Sequence, residues 1–137
     1  MAHPTVIDEE YIFDSNVIIS QTDVNGVITY ANRAFCEVSG YKLDELMGQP
    51  HSIIRHPDMP QGVFAKLWES ITGGQAWNGL VKNRRKNGMF YWVETEVLPV
   101  LNEDEEITGF IAVRKEASRK DINETQETYN KMLETQH

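Results

Sequence analysis

WNGLVKNRRKNGMFYWVETEVLPVLNEDEEITGFIAVRK, residues 77–115, predicts three consecutive β-strands. Asn87-Gly88 and the polar segment 102–106 are turn sequences, because Asn and Gly accept the backbone conformations that tight hairpins require. The residues between the turns place the strands at 77–85, 90–101 and 107–115. Short turns join antiparallel neighbours, so the three strands are predicted to be antiparallel.

The flanking segments add two strands and several helices. Residues 17–22 and 27–30 are rich in β-branched residues and flank the turn sequence 23–26, so they predict another hairpin. Helices are predicted at residues 32–39, 43–47 and 63–71. An exit helix is predicted to open at Ser118, with Asp121 three residues later. This order favours an α+β fold, a five-stranded antiparallel sheet with short helices on one face and a C-terminal exit helix.

Composition disfavours some classes of partner. The 137 residues include 21 acidic and 13 basic side chains, a formal net charge of −8, which disfavours nucleic acid or an anionic membrane surface as the main partner. The single cysteine, Cys36, cannot form an internal disulfide, and in a predicted helix beside Phe35 and Val38 it is expected in the core. The beginning lacks the pattern of a signal peptide and no apolar run is long enough for a membrane span, so a cytosolic domain is expected.

Alternation along the strand 77–85 is the first sign of a ligand pocket. Trp77, Gly79, Val81 and Asn83 share one face, and the tryptophan and valine make it the buried one. A buried amide needs hydrogen-bond partners, which a planar heterocycle supplies. Asn83 capping a neighbouring backbone group, or lying at a frayed strand end, explains the pattern equally well.

The segment PHSIIRHPDMP, residues 50–60, is the second sign, because its prolines make a rigid loop that presents polar groups. Arg55 and the imidazoles of His51 and His56 are suited to gripping a phosphate or a flavin edge. The alternative is a loop held by an internal Arg55–Asp58 ion pair. A metal site is not expected, since the two histidines are five residues apart with one carboxylate nearby, but axial ligation of haem needs only one imidazole and stays open.

The strand 107–115 carries the third sign. Phe110, Ala112 and Arg114 alternate with Ile111 and Val113. If Ala112 packs under a ligand, Arg114 points toward that ligand; otherwise Arg114 lies on the solvated face. The sequence has none of the motifs G-x-S-x-G, G-x-G-x-x-G, H-E-x-x-H or the P-loop, so we do not expect an enzyme.

Longer segments carry a family resemblance. Residues 23–48, DVNGVITYANRAFCEVSGYKLDELMG, resemble the first half of a PAS domain. Two narrower segments are GQPHSIIRHPDMP, residues 48–60, and WNGLVKNRRKNGMFYWV, residues 77–93. Together they resemble the PAS domains of bacterial aerotaxis receptors and, more loosely, the flavin PAS domain of the nitrogen-fixation regulator NifL.

The resemblance implies a noncovalently bound FAD whose redox state reports on respiration and oxygen. It implies cofactor-binding roles for eight residues, namely Arg55, His56, Asp58, His51, Asn83, Trp77, Asn32 and Arg114. Arg114 falls where light-sensing LOV domains, which are related, place a glutamine near flavin N5. LOV domains also have a reactive cysteine where this chain has Pro50-His51-Ser52 and an asparagine at Val93, so a photoadduct is excluded and the flavin O4 edge needs other partners.

The same resemblance implies an organisation and partners. We expect a lead-in at 1–15 with Tyr11, Ile12 and Phe13 as a packing patch, a PAS sensory domain at 16–117 and an exit helix or linker at 118–137. The expected partner is a downstream signalling domain of the same receptor, and a PAS homodimer is allowed for. The domain is expected in the cytoplasm without inserting into a membrane, whether or not the full-length receptor is anchored in the inner membrane. The rival hypotheses are a haem-based oxygen sensor and a ligand-free PAS interaction module.

Overall fold

The computed structural model describes residues 5–13 and 17–136. The strands are β1 Ile18–Asp23, β2 Ile28–Ala31, β3 Trp77–Arg84, β4 Phe90–Leu101 and β5 Ile107–Glu116. The helices are α1 Arg33–Ser39, α2 Leu43–Leu46, α3 Gln61–Thr72 and α4 Arg119–Gln136, with a 3-10 helix at His51–Ile54. The predicted α+β fold with five strands and an exit helix is confirmed, and the strand bounds differ from the expected ones by at most one residue.

All strand pairings in the sheet are antiparallel, in the order β2-β1-β5-β4-β3. The order puts β5 in the centre, where Arg114 pairs with Ile18 of β1 and Thr95 of β4. Because side chains alternate between faces, the register aligns Ser20, Ala112 and Val97 on the same face as Arg114. This inner face is the one that the short helices cover.

Two glycine-containing turns fix the first half of the chain. Gly26 has φ 82°, which glycine adopts without strain, and the Asp23 carboxylate accepts hydrogen bonds from the amides of Asn25 and Val27. Gly40, with φ 80°, ends α1. The predicted hairpin and helix stop are therefore confirmed. Cys36 is partly buried and packs against the core, as expected.

The exit helix α4 packs on the other face of the sheet, over β3 and β4. Its Tyr129 donates a hydrogen bond of 2.6 Å to the Leu80 carbonyl and stacks on Trp92. At the far end, the Gln136 side chain accepts a hydrogen bond from the Gln61 amide at the first turn of α3. The exit helix α4 therefore contacts β3, a strand with residues on the inner face, and α3, a helix that covers this face.

The described part of the lead-in, residues 5–13, packs along the β3–β4 hairpin. The Phe90 amide donates to the Glu9 carbonyl, and the Tyr11 amide donates to the Phe90 carbonyl. Tyr11 and Phe13 pack as predicted, but Ile12 is 69% exposed, so its inclusion in the packing patch is wrong. The strand-like path explains the error, because neighbouring side chains then point to opposite sides. Residues 1–4, 14–16 and 137, parts of all three predicted segments, lie outside the described residues.

Candidate functional site

A cavity of about 110 Å³ lies between the inner face of the sheet, α3 and the 3-10 helix. Its apolar wall comes from both layers and comprises Ile54, Phe64, Leu67, Trp68, Ile71, Val81, Val97, Phe110 and Ala112. Its polar groups are Ser20, Thr22, His51, Ser52, Arg55, Asn83, Thr95 and Arg114. Two guanidiniums and no carboxylate line it, although the chain as a whole carries a charge of −8.

Arg114 is the charged group buried deepest in this wall, with 3% of its surface exposed. Its Nη2 donates to Ser20 Oγ and lies 2.7 Å from both Ser20 Oγ and His51 Nε2. The guanidinium also lies 5.0 Å from the centre of the Phe35 ring. The alternative that Arg114 lies on the solvated face is wrong, because β5 is the central strand and this face is covered by helices.

The charge state of this cluster follows from its burial. Burial, together with the charges of Arg114 and Arg55, lowers the pKa of His51 to about 3, so the imidazole is neutral and its Nε2 can accept from Arg114. Burial also lowers the pKa of Arg114 to about 10, which leaves the guanidinium charged at neutral pH. Its Nη1 is buried without a hydrogen-bond partner. The cluster therefore holds a free donor on a residue of the cavity wall.

Asn83 is buried in the cavity wall, as the strand pattern predicts, with 3% of its surface exposed. It lies opposite Tyr91 in the β3–β4 register. The alternative of a frayed strand end is wrong, because Asn83 pairs with β4 and forms a bridge with Arg55 on its other side. Arg55 lines the cavity too, and its guanidinium stacks 3.9 Å above the Phe64 ring.

Four of the eight predicted site residues do not line the cavity. His56 is buried against Phe90, and Asp58 lies beside Lys82 at the surface rather than in an ion pair with Arg55. Neither of these two side chains lines the cavity, because the chain turns away from it after Arg55. Their contribution to cofactor binding stays a prediction.

Asn32 and Trp77 are the other two. The Asn32 amide caps α1, accepting from the amides of Phe35 and Ile19 and donating to the Val17 carbonyl. The Trp77 ring lies over Gly79, where an added Cβ would be 2.5 Å from it. Local contacts therefore occupy both side chains.

The sequence interpretation missed several lining residues. Ser20 and Thr95 face the cavity because they share the inner face with Ala112 and Arg114. Alternation within β1 is a usable signal for Ser20, whereas the pairing of Thr95 with Arg114 depends on a register shift between Val100 and Leu101 that the turn sequence does not reveal. Among residues 5–13 and 17–136, no cluster of His, Cys, Asp or Glu could hold a metal ion.

Residues 28–114 match the protein family described as "PAS fold". The chain belongs to the PAS family. The resemblance found in the residues is therefore confirmed, and the cavity occupies the space between the sheet and the helices of this PAS domain.

Two bacterial proteins resemble the domain closely. It is 42% identical over 129 residues to the aerotaxis receptor of Escherichia coli (strain K12), covering 93% of this chain and 25% of the receptor. It is 33% identical over 104 residues to the nitrogen fixation regulatory protein of Klebsiella pneumoniae, covering 76% of this chain and 21% of that protein. The PAS domain thus spans about a quarter or less of the length of these relatives.

A solved structure gives the same fold at lower sequence identity. The blue-light photoreceptor Aureochrome1 LOV, in its light state, superposes with a TM-score of 0.72 at 23% identity, covering 80% of this chain and 91% of that one. Within the part of the chain that the structure describes, no helix is long and apolar enough to cross a membrane.

Proposed function

We propose that this PAS domain is a sensor that binds a flavin, FAD, noncovalently and reports redox state or oxygen to a signalling module. The observation that carries the proposal is the buried Arg114 in the wall of an apolar cavity, with Nη1 lacking a partner. A buried donor without a partner costs free energy. A flavin ring offers carbonyl and ring-nitrogen acceptors that satisfy such a donor.

The residues present fit a flavin chemically. The apolar wall suits the faces and the methyl-substituted end of a tricyclic ring, and Asn83, with both a donor and an acceptor, suits its pyrimidine edge. The cavity volume of about 110 Å³ is below the ~300 Å³ at which ligand pockets begin. Side chains at the mouth, such as Arg55 on Phe64, must therefore shift when a ring enters.

The positive charge of the cavity wall favours FAD, which carries phosphates, over an uncharged ligand. Arg55 is exposed at the mouth, where a pyrophosphate can reach it, and neither guanidinium has a carboxylate partner among the lining residues. The likeness to the aerotaxis receptor and the nitrogen fixation regulatory protein supports the same class of sensor.

The bound flavin would supply the redox chemistry, and the side chains would supply orientation and the response. Arg114 holds a donor at the ring, with His51 and Ser20 fixing its position. Arg114 lies five residues before α4, so a displacement of its side chain has a short path to the exit helix. The domain turns over no substrate of its own in this proposal.

The proposed partner is a signalling domain of the same receptor, in the cytoplasm, whether or not that receptor is anchored in the inner membrane or pairs through its PAS domains.

An absorption spectrum of the purified protein tests the cofactor. We expect the structured visible band of a flavin and release of intact FAD on heating. Recovery of FMN alone would contradict FAD, a Soret band would indicate haem, and a colourless protein that takes up no FAD would indicate a ligand-free module.

A further inference from the structure

His56, Asp58, Met59, Lys82 and Phe90 form a compact cluster on the side of β3 that faces away from the cavity. We call it the clamp. None of its members lines the cavity. Lys82 alternates with Val81 and Asn83, which do line it, so strand geometry separates the two groups.

The first half of the clamp is a tight turn after Arg55. His56 Nδ1 accepts a hydrogen bond of 3.0 Å from the Asp58 amide. The His56 ring packs edge-on against Phe90, with 4% of the residue exposed. Burial and the nearby charge of Lys82 lower the pKa of His56 to about 4, so the nitrogen stays an acceptor at neutral pH.

Lys82 joins this turn to the sheet through three contacts. Its amide donates to Met59 Sδ at 3.3 Å. Its Nζ lies 3.8 Å from Asp58 Oδ2 and 4.5 Å above the Phe90 ring, and its side chain is 12% exposed. These contacts tie β3, the outermost strand of the sheet, to the turn that follows Arg55.

The clamp fixes the two cavity residues relative to each other. The main chain of Arg55 bridges to that of Asn83 across the edge of β3, and both side chains line the cavity. Met59 and Asp58 bind Lys82, the neighbour of Asn83, on one side of this bridge. Opening the clamp therefore leaves Arg55 held by its bridge to Asn83, by its amide, which donates to the Ser52 carbonyl, and by its stacking on Phe64.

We propose that Lys82 is a positioning residue for the ligand, acting through the clamp to hold Arg55 in register with Asn83. The inference rests on the proposed flavin function. It also gives His56 and Asp58 an indirect role in place of the contact that the resemblance implies.

The test is titration of FAD into the ligand-free 137-residue chain, followed by flavin fluorescence, with Lys82→Met and Lys82→Arg. Methionine keeps much of the aliphatic stem and removes the charge. We expect Lys82→Met to weaken FAD affinity about tenfold, equivalent to ~1.4 kcal/mol, and Lys82→Arg to restore it to within about threefold. Lys115→Met is the matched control, since Lys115 also lies 3.8 Å from a carboxylate, Glu94, but on β5 and away from the clamp.

Asp58→Asn separates positioning from bulk electrostatics. Removing a negative charge should tighten binding of an anionic ligand if long-range attraction alone matters. The clamp predicts the opposite, weaker binding, and it predicts that Lys82→Met adds little in the Asp58→Asn background, because both variants break one contact. Tighter binding by Asp58→Asn, or equal losses in the Lys82 and Lys115 variants, would overturn the proposal.

A measurement without ligand keeps the two proposals distinguishable. Hydrogen exchange of peptides covering 55–60 and 80–84 should speed up in Lys82→Met and stay unchanged in Lys115→Met. A wild-type chain that binds no FAD would remove the flavin function, whereas the exchange result would still support or refute the clamp. Unchanged exchange together with unchanged affinity in Lys82→Met would refute Lys82 as a positioning residue.

Discussion

Arg114 Nη2 lies 2.7 Å from His51 Nε2, which joins the central strand of the sheet to the 3-10 helix across 63 positions of sequence. A donor-only guanidinium requires an acceptor, so the contact fixes His51 as neutral with Nε2 unprotonated. The pKa of His51, lowered to about 3, keeps it so across the physiological range. The His51 imidazole therefore serves as a hydrogen-bond acceptor that holds Arg114 in place.

Stability should fall as the pH falls from about 6.5. The pKa values of His51 and His56 are lowered to about 3 and about 4 in the folded chain, against an ordinary 6.5. Between these values the unfolded chain binds protons that the folded chain does not, so the free energy of unfolding decreases with decreasing pH. Chemical denaturation should show a loss of roughly 2–4 kcal/mol between pH 7 and pH 5.

His56→Asn is the informative variant for this pH effect. The asparagine oxygen can accept from the Asp58 amide in place of Nδ1, but it does not titrate. The variant should lose about half of the pH dependence while keeping most of the stability at pH 7. An unfolding free energy that stays constant between pH 7 and pH 5 in the wild type would contradict both assignments.

Arg55→Ala and Asn83→Ala should each lose most of the bound flavin. Both residues line the cavity, and replacing either with alanine would leave a polar group of the ligand without a hydrogen-bond partner, at a cost of ~1–3 kcal/mol. FAD titration measures the loss. Arg33→Ala and Asn78→Ala are the controls, because both residues are exposed and outside the cavity. Full occupancy in either folded test variant would place the ligand elsewhere.

Tyr129→Phe should destabilise the docking of α4. The phenol donates a hydrogen bond of 2.6 Å to the Leu80 carbonyl, and its loss costs about 1 kcal/mol. Tyr30→Phe is the control, since Tyr30 is 47% exposed. Chemical denaturation gives the free energy of unfolding of both variants. Equal losses of stability would mean that the Tyr129 hydrogen bond does not hold the helix.

Local chemistry explains why the fold was predictable from sequence. Asn87-Gly88 and Asp23–Gly26 are turns in both the prediction and the structure, because their backbone requirements are local. The inward direction of Asn83 followed from a period of two. The strand order did not follow, since pairing β1 with β5 depends on contacts between residues about 90 positions apart.

The site was predictable only in part, for the same reason. Arg114 and Asn83 lie where alternation places them, but alternation does not say that Thr95 pairs with Arg114. The family motif around His56 and Asp58 marks a segment that matters, yet a motif does not distinguish a residue that contacts a ligand from one that positions its neighbour. That distinction needs the path of the chain, which turns away from the cavity after Arg55.

Arg114→Met should make the ligand-free chain more stable and its flavin binding weaker. Arg114 is buried with no carboxylate beside it, and its Nη1 lacks a partner, so the empty protein bears the cost of an uncompensated charge. Replacing such a charge by an apolar side chain of similar length is expected to stabilise by ~1–3 kcal/mol. His51 Nε2 keeps Ser20 Oγ at 3.3 Å as a donor, so the variant leaves no new unpaired acceptor. Denaturation of the apoprotein and FAD titration measure the two effects, with Arg114→Lys, which retains the charge, as the variant that should gain no stability. Loss of stability in Arg114→Met would mean that its hydrogen bonds outweigh the buried charge, and that Arg114 belongs to the scaffold rather than to the ligand site.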